Sequence, residues 1–172
     1  MSDNLYSLGG TATRWSSVTS RSLFLIDTDA DSAAGPEFKL FRNSASPADA
    51  DYLGQIKFAG ESDTGVERNY AKITGKILDA SNGTEDGIIE FAHIKAGSQN
   101  ISARFRSDSL QLLNGTALTV AGSTTVTGNI IPSSDSATDI GTNGVRFANI
   151  YADTLYGDGS NLTGISLSLI HI

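Results

Sequence analysis

The chain has 172 residues, with 12 lysine or arginine and 19 aspartate or glutamate residues, and a formal net charge of −7. Nucleic-acid binding depends on basic side chains that meet phosphates, so this acidity argues against a nucleic-acid-binding protein. The sequence has no cysteine, which excludes a disulfide framework and a thiolate metal site within it.

Residues 1–20 are rich in serine, threonine and glycine and are interpreted as a loose N-terminal segment. The longest clean apolar run that follows, Leu23–Ile26, is far shorter than the ~20 residues that a membrane helix needs. We therefore expect no membrane insertion.

Residues 21–113 are predicted to form an antiparallel β domain. Short runs of alternating or apolar residues recur every 10–15 residues, and turn residues such as Ser81-Asn82-Gly83 and Gly97-Ser98 separate them. This spacing favours a sandwich or a compact sheet over an α/β fold. The predicted runs are Leu23–Ile26, Phe38–Phe41, Gln55–Phe58, Tyr70–Leu78, Ile88–Lys95 and Ile101–Phe105.

The run from residue 70 to residue 78 shows the alternation most clearly. It predicts a polar strand face opposite an apolar one. The polar face would carry Tyr70, Lys72, Thr74 and Lys76, and the apolar face Ala71, Ile73 and Ile77.

Residues 114–165 are predicted to form a slender, glycine-rich β-repeat neck, with a hinge at residues 110–115. Thr119-Val120-Ala121-Gly122 and Thr125-Val126-Thr127-Gly128 repeat six residues apart, and strands this short cannot bury an apolar face alone. Copies of the chain would close such exposed strands, most simply as a homotrimer. The residues expected to face the common axis are Val120, Val126, Ile130 and Ile131, while Thr119, Thr125 and Asn129 would face water.

Two later segments are open to more than one interpretation. Val145, Ala148, Ala152 and Leu155 have helical spacing, but we favour a bent strand or one short turn there. Residues 166–172 lose the Gly, Asp and Asn punctuation of the neck, which suggests a truncated reading frame. The alternative is a final edge strand, since Ile165, Leu167 and Leu169 alternate with serine.

Acidic clusters and histidines are the residues of this sequence that could form a chemical site. Asp27, Asp29 and Asp31 resemble the start of a calcium loop, but the glycine and glutamate that complete it are missing, so a solvated turn is favoured. His93 has no partner except His171, and no serine nucleophile motif occurs. Carboxylates that could pair as in a glycosidase lack an aromatic platform: Glu61 with Asp63, Glu85 with Asp86, and Glu90. We predict no catalytic, metal or cofactor site and no enzymatic activity.

Three motifs resemble modules of bacteriophage tail-fibre and tailspike-like proteins. The segment Asp139-Ile140-Gly141, followed by Arg146-Phe147 and Ile150-Tyr151, is similar to an element that commonly precedes a C-terminal intramolecular chaperone domain there. Residues 157–165 (GDGSNLTGI) and the blocks at 40–58 and 79–87 are similar to modules of marine phage fibres. The resemblance covers roughly residues 20–165.

The resemblance implies a structural component of a phage tail fibre that holds or positions host-receptor-binding parts. Such a protein is made in the host cytoplasm and resides in the virion. Its implied partners are two further copies of the chain, other tail or baseplate proteins, and a host surface polysaccharide or protein receptor. The alternatives are a polysaccharide-degrading tailspike fragment and a cellular surface adhesin.

Overall fold

The computed structural model describes residues 10, 15–28, 30, 32, 34–154 and 156–157. It assigns five β-strands to them and no helix, so none of this part is a helix that could cross a membrane. The strands are β1 (Tyr52–Glu61), β2 (Glu67–Asp79), β3 (Asp86–Lys95), β4 (Ser98–Arg106) and β5 (Leu110–Leu112).

The strands form one open antiparallel sheet in chain order, which confirms the all-β antiparallel prediction. Each connection is a short turn. Between β3 and β4, Ala96 and Gly97 both have positive φ (49° and 79°), as the tightest hairpin turn requires. Because the sheet is open, β1 and β5 are edge strands with unpaired backbone groups.

Two predicted strands do not form. Leu23–Ile26 and Phe38–Phe41 have no regular structure, because an apolar run becomes a strand only where another strand pairs with it. The second segment is nevertheless held against the sheet. Leu40 lies where a side chain on Gly54 would project, and the Arg42 guanidinium binds the Asp51 carboxylate at 2.9 Å.

The register of β2 contains an irregularity that the sequence pattern does not show. Phe58 pairs with Ala71 but Ala59 pairs with Asn69, so Tyr70 is an extra, bulged residue. Its ring lies over Gly60 and its hydroxyl donates to the Glu61 carbonyl at 3.3 Å. The prediction that Tyr70 shares a face with Lys72 was therefore wrong, whereas Lys72, Thr74 and Lys76 do share one.

The turn between β2 and β3 is organised by the Asp79 carboxylate. It accepts hydrogen bonds from the Ser81 backbone N–H (2.8 Å) and the Thr84 hydroxyl (2.9 Å). The Ser81 backbone N–H, and then the hydroxyls of Ser81 and Thr84, lower the pKa of Asp79 below its ordinary 3.8, because they stabilise the ionised form.

We expect Asp79→Asn to destabilise the protein at neutral pH but not in acid. A lowered native pKa means that the carboxylate stabilises the fold above the unfolded-state pKa, about 3.9, and that this stability is lost as the pH falls through the native value. Urea unfolding midpoints of the wild type and variant should therefore differ at pH 7 and converge only as the pH falls through the lowered native pKa of Asp79. Asp63→Asn, in the neighbouring hairpin turn, is the matched control; a gap that persists in acid would contradict this account.

The chain divides into two compact units, Met1–Thr119 and Val120–Ile172. The sheet belongs to the first. In the second, the described residues form no strand, and residues 142–145 form a hydrogen-bonded turn. There the Thr142 N–H donates to the Val145 carbonyl at 2.8 Å, and the Val145 N–H donates to the Thr142 hydroxyl at 3.0 Å.

Candidate interaction surface

The sheet has one apolar face, which the strand register defines row by row. Residues paired across neighbouring strands point to the same side of a sheet. One row reads Ile56, Ile73, Phe91, Ala103 and Leu112, and the next reads Gly54, Gly75, Ile89, Phe105 and Leu110. We call the surface formed by these two rows, together with Leu53 and Phe58, the apolar face.

The apolar face is largely uncovered. Ile89 is 47% exposed, and Phe105 is 50% exposed although its ring packs edge-on against Phe91 at 5.8 Å between centroids. Five strands and about six residues per strand give a face of roughly 20 by 20 Å, or about 400 Å² in projection. Contiguous apolar patches of this size on soluble proteins commonly mark interaction sites.

A hollow indents the apolar face. Its volume is about 410 Å³, and Gly75 and Gly87 form part of its lining, where an added side chain would meet nothing within 4 Å. Leu53, Ile89 and Phe105 also line it. The hollow has room for an apolar side chain from another protein surface.

The opposite face of the sheet is polar and contains its most buried residues. Thr74 is 1% exposed and Glu90 is 5% exposed. The Glu90 carboxylate binds the Arg104 guanidinium at 2.9 Å and lies 3.8 Å from the Lys76 ammonium. The Gln55 amide donates to the Thr74 hydroxyl at 3.3 Å. Long polar side chains therefore cover this face. On the apolar face Leu40 lies against Gly54, while Ile89 and Phe105 remain about half exposed.

The buried residues of the sheet lie on its polar face, whereas most of its apolar side chains lie on the exposed face. This is the reverse of what is expected for a stable monomer. Among the described residues, only Ile88 and Ala92 are buried and hydrophobic, and both lie on the polar face. An antiparallel sheet normally packs its apolar face on a core and exposes its polar face. The alternation in each strand could have revealed these faces from sequence, but the register that joins them into one surface could not be seen there.

The four predicted axial residues lie in the second unit and are exposed. Val126 is 50% exposed, Val120 is similar, and Ile130 and Ile131 are more exposed still. Their exposure leaves them free to contact another chain, and their axial role stays a prediction.

The segment that resembles a tail-fibre element forms a local, hydrogen-bonded turn. Gly141 has φ +83°, and an added Cβ would lie 3.1 Å from the Val145 carbonyl oxygen, so glycine is required there. The Arg146 guanidinium donates to the Asn143 carbonyl at 3.1 Å and to its side-chain oxygen at 3.0 Å. The glycine and arginine of this motif thus have a structural role within the turn. Among the described residues of the following segment, 145–154, no helix forms.

The acidic residues and histidines that could carry chemistry lie apart from one another or have structural contacts. Asp29, Asp31 and His171 lie outside the described residues, and no cluster of potential metal ligands occurs within them. The His93 ring lies 2.8 Å from the Ser102 hydroxyl on the sheet surface. Glu90 is held by two cations, and Glu85 accepts a hydrogen bond from the Gly83 N–H at 3.0 Å. These contacts are all of a kind that stabilises turns and strands.

Comparison of the chain with protein-family models, curated proteins and solved structures finds no match in any of the three.

Proposed function

We propose that this chain is a structural component of a phage tail fibre, assembled as a homotrimer that positions host-receptor-binding parts. The observation that carries the proposal is the uncovered apolar face of the sheet. A second copy of the chain is the simplest occupant, because the face is uncharged at its centre and the same surface is present on every copy.

The dimensions of the apolar face suit such an assembly. Its projection of about 400 Å² understates the accessible area, since side chains stand above the sheet, and standard interfaces bury about 800 Å² per partner. The edge strands β1 and β5 add a second reason for association, because their unpaired backbone groups invite pairing with another chain. The copies in a tail fibre are permanently assembled. An exposed apolar face and unpaired edge strands, which would make a monomer prone to aggregate, are therefore compatible with this role.

The neck supports the same proposal. Its valines and isoleucines are exposed in the single chain, and its described residues form no strand. In the proposed trimer the glycine-punctuated repeats acquire their β conformation from the neighbouring copies, with Val120, Val126, Ile130 and Ile131 at the axis. The resemblance of residues 139–151 to tail-fibre elements supports a virion as the location that we propose for this assembly.

We expect Val126→Asp to weaken the trimer, because three carboxylates would be brought together in an apolar axis. Sedimentation equilibrium measures the result as a shift from trimer towards monomer. Thr125→Asp is the matched control, since the neighbouring side chain is proposed to face water. Equal behaviour of the two variants would contradict the axial assignment.

The virion role has its own test. Antibodies raised against the purified chain should label the tails of phage particles that carry this sequence in their genome, as seen by electron microscopy. Labelling of cell envelopes without particles would favour the adhesin instead. Release of oligosaccharide from host capsule by the purified protein would favour the degrading tailspike.

A further inference from the structure

The polar face of the sheet carries a concentration of positive charge that its structural role does not account for. The strand register places five of the chain's twelve lysine and arginine residues on this face. We call these residues the cation face: Lys57, Lys72, Lys76, Arg104 and Arg106.

Carboxylates are sparse beside this cluster, although Asp108, in the turn after β4, lies 4.0 Å from Arg106. Glu90 is the one acidic residue in its central rows, and it engages Lys76 and Arg104. The other carboxylates of residues 51–113 lie at strand ends or in turns, and they are Asp51, Glu61, Asp63, Glu67, Asp79, Glu85, Asp86 and Asp108. A solvent-facing sheet of an acidic protein would be expected to mix both signs, so the centre of this face is distinctly positive.

Lys57 and Lys72 place two positive charges directly opposite each other on the cation face. They are direct cross-strand neighbours on β1 and β2, where side chains lie about 5 Å apart. Neither has an ion pair or hydrogen bond among the described residues, although Glu90 is only one row away. Like charges placed directly opposite each other destabilise a sheet. An anionic group bound between the two ammonium groups would convert this repulsion into attraction.

We propose that the cation face binds an acidic polysaccharide, with a carboxylate or phosphate of the polymer held between Lys57 and Lys72. This inference rests on the proposed function only in that the assembly leaves the cation face outward. Lys76, four residues along β2 and about 13 Å from Lys72, provides the next positive charge.

The charge spacing favours a polysaccharide over a nucleic acid. A nucleic-acid strand carries one phosphate per ~3.4 Å, and binding it draws on many closely spaced cations. Two neighbouring lysines followed by a gap of about 13 Å suit a polymer with fewer, more widely spaced acidic groups. The net charge of −7 on the whole chain would repel a densely charged strand more strongly than a sparsely charged one.

The test uses the full chain and hyaluronan oligosaccharides, which carry one carboxylate per disaccharide, with neutral dextran and oligodeoxythymidylate as comparison ligands. Titration calorimetry at about 10 mM salt, where screening is weak, should show binding of hyaluronan but not of dextran. Lys57→Gln/Lys72→Gln should weaken this binding by roughly tenfold or more, since each charge-assisted hydrogen bond contributes on that scale. Lys57→Arg/Lys72→Arg should retain it.

The matched control is Lys39→Gln/Lys95→Gln, which removes the same charge at sites away from the cation face. An equal loss of binding in this control, absence of hyaluronan binding by the wild type, or tighter binding of oligodeoxythymidylate would each overturn the proposal. The melting temperature of Lys57→Gln/Lys72→Gln should equal or exceed that of the wild type, because a repulsive pair has been removed; a lower value would overturn the account of that pair.

The outcome is separable from that of the proposed function. A monomer that binds hyaluronan through Lys57 and Lys72 would support this inference and contradict the trimer. A trimer found on phage tails that does not bind hyaluronan would support the proposed function and contradict this inference.

Discussion

Replacing Phe105 with aspartate is expected to dissociate the assembly. Phe105 lies on β4 within the apolar face and is half exposed in the single chain. Burying the exposed half of its ring between copies contributes about 1 kcal/mol, and a carboxylate in the same place adds a desolvation cost of several kcal/mol. Since each 1.4 kcal/mol is a factor of ten, association should weaken by roughly a hundredfold or more.

Sedimentation equilibrium of the variant over a concentration series measures this effect. The matched control is Phe41→Asp, because Phe41 is 74% exposed and lies in the segment before β1. The control should associate as the wild type does. If Phe105→Asp and the wild type have the same mass in solution at every concentration, the apolar face is not an interface between copies.

Replacing Glu90 with alanine should produce the largest loss of stability within the sheet. The change leaves Lys76 and Arg104 without their shared carboxylate, beside Lys57 and Lys72 on the same face. Removal of one partner from a fully buried ion pair costs 3–5 kcal/mol. Because the side chains of Lys76 and Arg104 are 17% and 31% exposed, both can turn towards solvent, and we expect about 2 kcal/mol.

Urea unfolding of the Glu90→Ala variant measures that loss. A second variant, Glu90→Leu/Arg104→Leu, replaces the closest pair by apolar residues and should recover part of the stability, since such replacements are often neutral or better. A Glu90→Ala protein as stable as the wild type would show that the three charges do not hold the sheet together.

The sequence pattern predicts the four long strands of the sheet, but it does not predict which apolar runs pair with another strand. Alternation at Gln55–Phe58, Tyr70–Leu78, Ile88–Lys95 and Ile101–Phe105 falls within or overlaps the four long strands. Leu110–Leu112, predicted as part of a hinge, instead pairs with β4 as the fifth strand. Leu23–Ile26 has an equally apolar pattern but pairs with no strand in the described part of the chain, because pairing is a property of the fold rather than of a local run.

The interaction surfaces were harder to predict than the strands. Ile56, Ile89 and Phe105 are far apart in sequence, and only the register places them on one surface. The bulge at Tyr70 also changes which residues share a face, and no local pattern announces it. From the sequence, Glu90 is one of several carboxylates that could act in catalysis. Its contacts with Lys76 and Arg104, which lie on other strands, give it a structural role instead.

The central claim is that copies of this chain cover one another's apolar face, and the concentration dependence of wild-type stability tests it most directly. Urea unfolding midpoints measured from nanomolar to micromolar protein should rise with concentration, because association stabilises the folded state by mass action. Midpoints that do not change over that range, together with a monomeric mass in sedimentation, would contradict the claim.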